Sequence, residues 1–136
     1  HKQRDYSKSS SIEKTIIIHE KNPDSPLRAT CVNETAIICD DIADTCGTLI
    51  SAINELIKYG IEDIICVITH GIFSRDALEK INNCKYISKF YVSDSIPQEE
   101  NCKICPKLEV FSIGELMADV ITRIMTCKPI SELFVY

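Results

Sequence analysis

TAIICDDIADTCGTLIS, residues 35–51, runs from an apolar segment through two adjacent carboxylates into a small-residue turn and then a helical pattern. Ala36, Ile37, Ile38 and Cys39 read as a buried strand. Asp40 and Asp41 form its acidic tip. Asp44-Thr45-Cys46-Gly47-Thr48 is the turn, and Leu49, Ile50, Ile53, Leu56 and Ile57 repeat with helical spacing. A strand that enters a helix through such a turn points several backbone N–H groups at one spot, at the positive end of the helix dipole. That is a phosphate seat. Gly47 lets the backbone approach closely, and Thr45 and Thr48 add hydroxyl donors. Asp40 and Asp41 lie beside the seat, where they can accept sugar hydroxyls or hold a magnesium ion. Phosphate seat plus carboxylate pair suits a phosphorylated sugar.

Outward from this stretch, strands and helices alternate. Thr15 to His19 reads as a strand, and Lys21 to Pro26, with Asn22-Pro23 and Ser25-Pro26, as a turn or loop. The helix from Cys46 or Gly47 to Tyr59 ends at Gly60. Ile64 to Thr69 is wholly apolar, which predicts burial on both faces of a parallel sheet. Arg75 to Asn83 follows as a helix with Ser74 as N-cap. Lys89 to Ser93 and Leu108 to Phe111 are further strands, separated by a polar loop from Asp94 to Pro106. In the last helix, Ser112 or Ile113 to Cys127, one face carries Ile113, Leu116, Met117, Val120, Ile121 and Ile124, so Met117 belongs to the core or its margin. Ile130 to Tyr136 either adds a strand or docks. The pattern predicts an α/β fold, a parallel sheet flanked by helices with functional loops at the carboxyl ends of its strands.

Length and composition set the class. At 136 residues the chain suits one domain with a real core. A net charge of −5 gives no general attraction to nucleic acid or to an anionic membrane. No apolar run reaches membrane-spanning length and no secretory signal is visible. The eight cysteines show no framework spacing, which points to reduced thiols in the cytoplasm. Cys39 and Cys66 sit in apolar runs and act there as small hydrophobes. Cys102-Lys-Ile-Cys105 has metal or redox spacing but no second pair, so it reads as two incidental thiols in a surface loop. His70 is a pocket-wall candidate. Ser74 and Arg75 are as well explained by a helix cap and a surface charge as by an anion contact.

DDIADTCGT resembles the phosphoribosyl-diphosphate loop of the phosphoribosyltransferase-fold proteins, and above all that of the ribose-phosphate diphosphokinases, or PRPP synthetases. Three further stretches fit that family in order and spacing. They are His1-Lys2-Gln3-Arg4, Thr69-His70-Gly71-Ile72-Phe73-Ser74 and Ser95-Ile96-Pro97-Gln98-Glu99; Gln3 to Val32 aligns only loosely. The resemblance implies a phosphoribosyltransferase-type fold over residues 1–136, with residues 1–11 the remnant of a flexible catalytic loop. It implies that Asp44, Thr45, Cys46, Gly47 and Thr48 bind the 5-phosphate of ribose 5-phosphate. The side chain of Asp44 then caps the turn or points away. Asp40 and Asp41 face the ribose hydroxyls and Mg2+. Lys2 and Arg4 match a catalytic Lys-x-Arg pair beside the transferring diphosphoryl group of ATP. Such transfer needs little covalent chemistry and much charge stabilisation.

In the family an ATP-binding half precedes the Lys-x-Arg segment. The chain starts at His1 without it, so the resemblance implies a carboxyl-terminal domain, inactive or nearly so alone, from an enzyme that assembles as a homo-oligomer. Pro129-Ile130-Ser131-Glu132-Leu133-Phe134 matches a segment that helps bind regulatory phosphate and ADP between subunits. Ser131 fits that pattern, whereas Pro129 stands where a second serine is common. Two rivals remain. One is a phosphoribosyltransferase that consumes phosphoribosyl diphosphate, which needs a base-covering hood not visible here. The other is a non-catalytic PRPP-synthetase-associated regulatory protein, whose phosphate loop is disrupted where Asp44 to Thr48 is intact.

Overall fold

The computed structural model describes residues 2–4, 12–15 and 35–133. Strands β1 (Lys2–Arg4) and β2 (Ile12–Thr15) pair antiparallel, with Lys2 opposite Thr15. Then come β3 (Thr35–Ala43), α1 (Gly47–Lys58), β4 (Asp63–Gly71), α2 (Ala77–Asn83), β5 (Ile87–Ser93), α3 (Glu99–Ile104), β6 (Leu108–Phe111) and α4 (Gly114–Met125), with a 3-10 turn at Ile130–Leu133. Strands β3 to β6 form one parallel sheet in sequential order. This is the α/β architecture that the sequence pattern predicts.

The core lies on one face of the sheet. Side chains alternate along a strand. Ile64, Cys66 and Ile68 of β4 and Phe90 and Val92 of β5 are buried, and they cluster with Leu49 and Ile53 of α1 and Ala77, Leu78 and Ile81 of α2. Phe73, just past β4, meets Phe90 edge-to-face at 5.7 Å between ring centres. On the other face Ile65, Val67 and Tyr91 are half-buried, and Ile37 is 66% exposed. Among the described residues, the apolar run of β4 is therefore fully buried on one face and half-buried on the other, where full burial on both was expected. Cys39 follows the same alternation and is exposed, so it is not a core hydrophobe.

Four other local expectations need correction. Helix α2 starts at Ala77 with Asp76 as N-cap, and Ser74 does not cap it. Arg75 has φ 58°, a left-handed backbone that a right-handed helix cannot include. The Asp94–Pro106 loop contains α3, too short to show an apolar period. Cys105, at its end, is fully buried in the core rather than a surface-loop thiol. Helix α4 has the expected bounds within two residues, yet Leu116, Met117, Ile121 and Ile124 are all exposed. Spacing marked that stripe as apolar, but among the described residues nothing packs over it. The strand expected at Thr15 to His19 overlaps β2 only at Thr15; residues 16–19 lie outside the described part, as do 5–11 and 134–136.

The β3–β4 pairing fixes the loop positions. The register sets Ile42 beside His70 and Ala43 beside Gly71, so both strands end together. Gly71 sits where no side chain fits. A Cβ there would overlap Phe73 Cε2 and lie 2.7 Å from Val92 Cγ2. Its carbonyl accepts from Nε2 of buried Gln98 at 2.8 Å. Gly71→Ala overpacks this junction and lowers stability by about 1–3 kcal/mol. Urea unfolding should show an earlier midpoint at unchanged slope; an unshifted midpoint would contradict the packing described.

Candidate functional site

The turn between β3 and α1 is held by its carbonyls. The Ala43 carbonyl accepts from the Ile72 and Phe73 N–H groups at 2.9 and 3.0 Å, and Asp44's accepts from Ser74 N–H at 3.1 Å. The Thr45 carbonyl accepts from Lys80 Nζ at 3.0 Å. That of Cys46 accepts from Ile50 N–H at 2.9 Å, the first bond of α1. In a planar trans peptide the C=O and the following N–H point opposite ways. Tying these carbonyls to the protein therefore turns the next N–H groups outward. Among the described residues, the N–H groups of Thr45, Cys46, Gly47 and Thr48 meet no protein acceptor. The helix N-terminus adds its own unsatisfied donors to this set.

These amides border a hollow of about 290 Å³. Its wall is Asp40 to Leu49 with Ile68 at the base. All seven residues expected to bind substrate, Asp40, Asp41, Asp44, Thr45, Cys46, Gly47 and Thr48, therefore come together. Two details define the turn. The left-handed residue is Cys46, at φ 57° and ψ 8°, rather than Gly47. A Cβ on Gly47 would meet nothing nearer than Thr45 Oγ1 at 3.9 Å, so what Gly47 leaves is room beside the amides. Helix α1 has no side-chain cap, so of the two alternatives for Asp44 the second holds: it does not cap the helix and is exposed.

Asp40 and Asp41 straddle the strand. Asp40 is half-buried on the side of Ala36 and Ile38, and Asp41 is exposed on the opposite side. Asp41 N–H donates to Asp40 Oδ1 at 3.1 Å. Among the described residues, no three His, Cys, Asp or Glu side chains gather as a metal site. One or two carboxylates completed by substrate oxygens and water is, however, the usual way magnesium is held. The donor set fits that ion only in this shared mode.

Other candidates fall elsewhere. Lys2 and Arg4 lie in β1, and Ser131 lies on the exposed 3-10 turn after α4. His70 does not line the hollow; its Nδ1 stands 2.9 Å from Ser95 Oγ. Ser74 does not line the hollow, and its backbone N–H donates to the Asp44 carbonyl. Lys80 was not singled out by sequence, because a lysine at an exposed helical spacing carries no mark of its task. Gln98 was not either, though it sits in a quoted motif.

Burial controls the thiol in the loop. Desolvation pushes the Cys46 thiol up to about 11, against the opposing pull of the Lys80 charge, and pushes that of Cys66 up to about 12. Thiolate is the reactive form, so both are inert at neutral pH. Brief alkylation of the folded protein at pH 8 should label exposed Cys39 and Cys127 and spare Cys46 and Cys66. Peptide mass spectrometry reads the result, and labelling of Cys46 at the rate of Cys39 would contradict the buried loop.

Comparison with known proteins gives three findings. A family model described as phosphoribosyl synthetase-associated domain matches residues 2–135. Ribose-phosphate pyrophosphokinase 3 of Saccharomyces cerevisiae is 40% identical over 102 residues, which is 75% of this chain and 32% of that protein. The crystal structure of phosphoribosylpyrophosphate synthetase from Mycobacterium smegmatis superposes with a TM-score of 0.64 at 33% identity. It covers 71% of this chain and 32% of that one. The chain thus spans about a third of the length of these relatives.

Proposed function

The chain belongs to the phosphoribosyl synthetase-associated domain family, and from that premise we propose that it is the carboxyl-terminal, ribose 5-phosphate-holding domain of a ribose-phosphate diphosphokinase. The observation that carries this reading is the row of unpaired N–H groups from Thr45 to Thr48 along a hollow flanked by Asp40 and Asp41. Those amides, with the Thr45 and Thr48 hydroxyls, take the 5-phosphate, and the aspartates take the ribose hydroxyls. The parent reaction moves diphosphate from ATP to the sugar's anomeric hydroxyl. That oxygen attacks the β-phosphorus in line, the bond to the α-phosphate oxygen breaks, and AMP leaves.

Among the described residues, the ionisable side chains lining the hollow are Asp40, Asp41, Asp44 and the buried Cys46. A doubly charged phosphate beside three carboxylates needs compensating positive charge. Amides at a helix N-terminus supply part of it. Mg2+ held by Asp40 or Asp41 together with substrate oxygens supplies more. Lys2 and Arg4 take the role of stabilising charge on the transferring group, a role that needs the ATP-binding half as well. Assembly as a homo-oligomer, ADP contact near Ser131 and a cytoplasmic setting belong to the same reading. No helix among the described residues is long and apolar enough to cross a membrane.

The regulatory, non-catalytic relative is the competing reading, and the family description names an associated domain. An intact loop with its amides unpaired favours substrate binding over that role.

Calorimetric titration tests the proposal. The chain should bind ribose 5-phosphate, more tightly with magnesium present. Gly47→Val should fold as well as wild type, because the space around Gly47 is open, yet bind about tenfold or more weakly, equivalent to about 1.4 kcal/mol. Absence of binding by the wild-type chain at millimolar sugar phosphate would end the proposal.

A further inference from the structure

Three of the four tethered carbonyls in the loop are held by backbone N–H groups, and only the Thr45 carbonyl is held by a side chain, that of Lys80. Lys80 stands in the last turn of the short helix α2, and its Nζ lies 3.0 Å from Thr45 O and 2.8 Å from Asp76 Oδ1. The ammonium thus lies between the exposed carboxylate of Asp76, the N-cap residue of its own helix, and the loop. The peptide it holds joins Thr45 to Cys46, the left-handed residue of the turn. Non-glycine residues take that conformation at a cost and keep it only where neighbours impose it.

We propose that Lys80 is a positioning residue for the phosphate seat: by holding the Thr45 carbonyl it keeps Cys46 N–H turned into the hollow, with Asp76 fixing the ammonium in register. This rests on the phosphate reading of the hollow given above. Two physical effects act together. Planarity couples the carbonyl's direction to that of the Cys46 N–H. A cation on the carbonyl also polarises the peptide and strengthens its N–H as a donor to an anion. Lys80 itself does not line the hollow, so it works through the peptide rather than by touching the ligand.

Three variants separate positioning from simple charge. Each is titrated with ribose 5-phosphate and, separately, with inorganic phosphate, after a thermal melt establishes folding. Lys80→Met should weaken both probes about tenfold, the scale of a lost charge-assisted hydrogen bond. Lys80→Arg keeps a donor and a partner for Asp76 and should recover most of the loss. Asp76→Ala is the sign test. Asp76 is exposed and makes no side-chain cap, so the fold should tolerate the change. Loss of its anchor should weaken binding, whereas a through-space charge effect would tighten it, since a negative charge has gone. In an amide-resolved NMR titration the Cys46 N–H should respond to phosphate in wild type and not in Lys80→Met.

Wild-type affinity in Lys80→Met, or unchanged or tighter binding in Asp76→Ala, overturns the positioning role while leaving the site intact. Should Lys80→Met fail to fold, Lys80→Arg and Asp76→Ala decide alone, on the same criteria. Failure of wild type to bind either probe removes the phosphate reading, and the role of Lys80 goes with it.

Discussion

The structure depends on a mutual arrangement at the ends of two parallel strands. Strands β3 and β4 stop together at Ala43 and Gly71, and the segment that leaves β4 donates three N–H groups back to the segment that leaves β3. Backbone polar groups must find partners when they lose water. Here the carbonyls of the turn find theirs inside the protein, so its amides are left facing out. A binding surface arises because one side of each peptide is already satisfied. In the proposed reading, amides freed in this way supply part of the attraction for a phosphate.

In the proposed reading, that logic explains how an acidic chain can hold a phosphate. Three aspartates border the hollow and the chain has a net charge of −5. By charge count alone, this is a poor place for phosphate. Direction matters more than count, because oriented amides act at contact distance while exposed carboxylates are screened by water. Asp41 and Asp44 are exposed and only Asp40 is half-buried, so the repulsion is weaker than the count suggests. In the proposed reading a shared magnesium ion balances what remains.

Much of this was legible in the sequence, for a physical reason. Ala36 to Cys39, then Asp40-Asp41, then Leu49, Ile50 and Ile53 pass from a continuous apolar run through an acidic tip to a helical period within a few positions, which reads as a strand-to-helix turn. The alternation of strand and helix patterns further on implies a parallel sheet, while the order of its strands comes from the structure. What could not be read depended on partners. Whether the stripe on α4 is buried is set by what lies over it, not by the spacing of Leu116, Ile121 and Ile124. The same holds for the outer face of β4, where Ile65 and Val67 look in sequence like Ile64 and Cys66. Lys80 was invisible because its hydrogen bond spans from α2 to the loop, 35 residues away. Helix α3 has 6 residues, fewer than two turns and too few to show a period.

Cys46 shows how the turn resists relaxing. Glycine is the usual residue for a left-handed backbone, and it stands one position later, at Gly47, where the conformation is helical. A glycine at 46 would ease the backbone and lose an anchor, because the Cys46 side chain is 5% exposed and belongs to the core cluster. Burial of a small apolar group offsets the left-handed strain, each being worth roughly 1–2 kcal/mol. The turn is consequently pinned in three ways: by backbone donors after β4, by the Lys80 ammonium, and by a thiol sunk beneath it. Each acts on a different atom of adjacent peptides. A ligand arriving at the amides meets donors whose directions were settled when the chain folded, so little ordering is left to be done on binding.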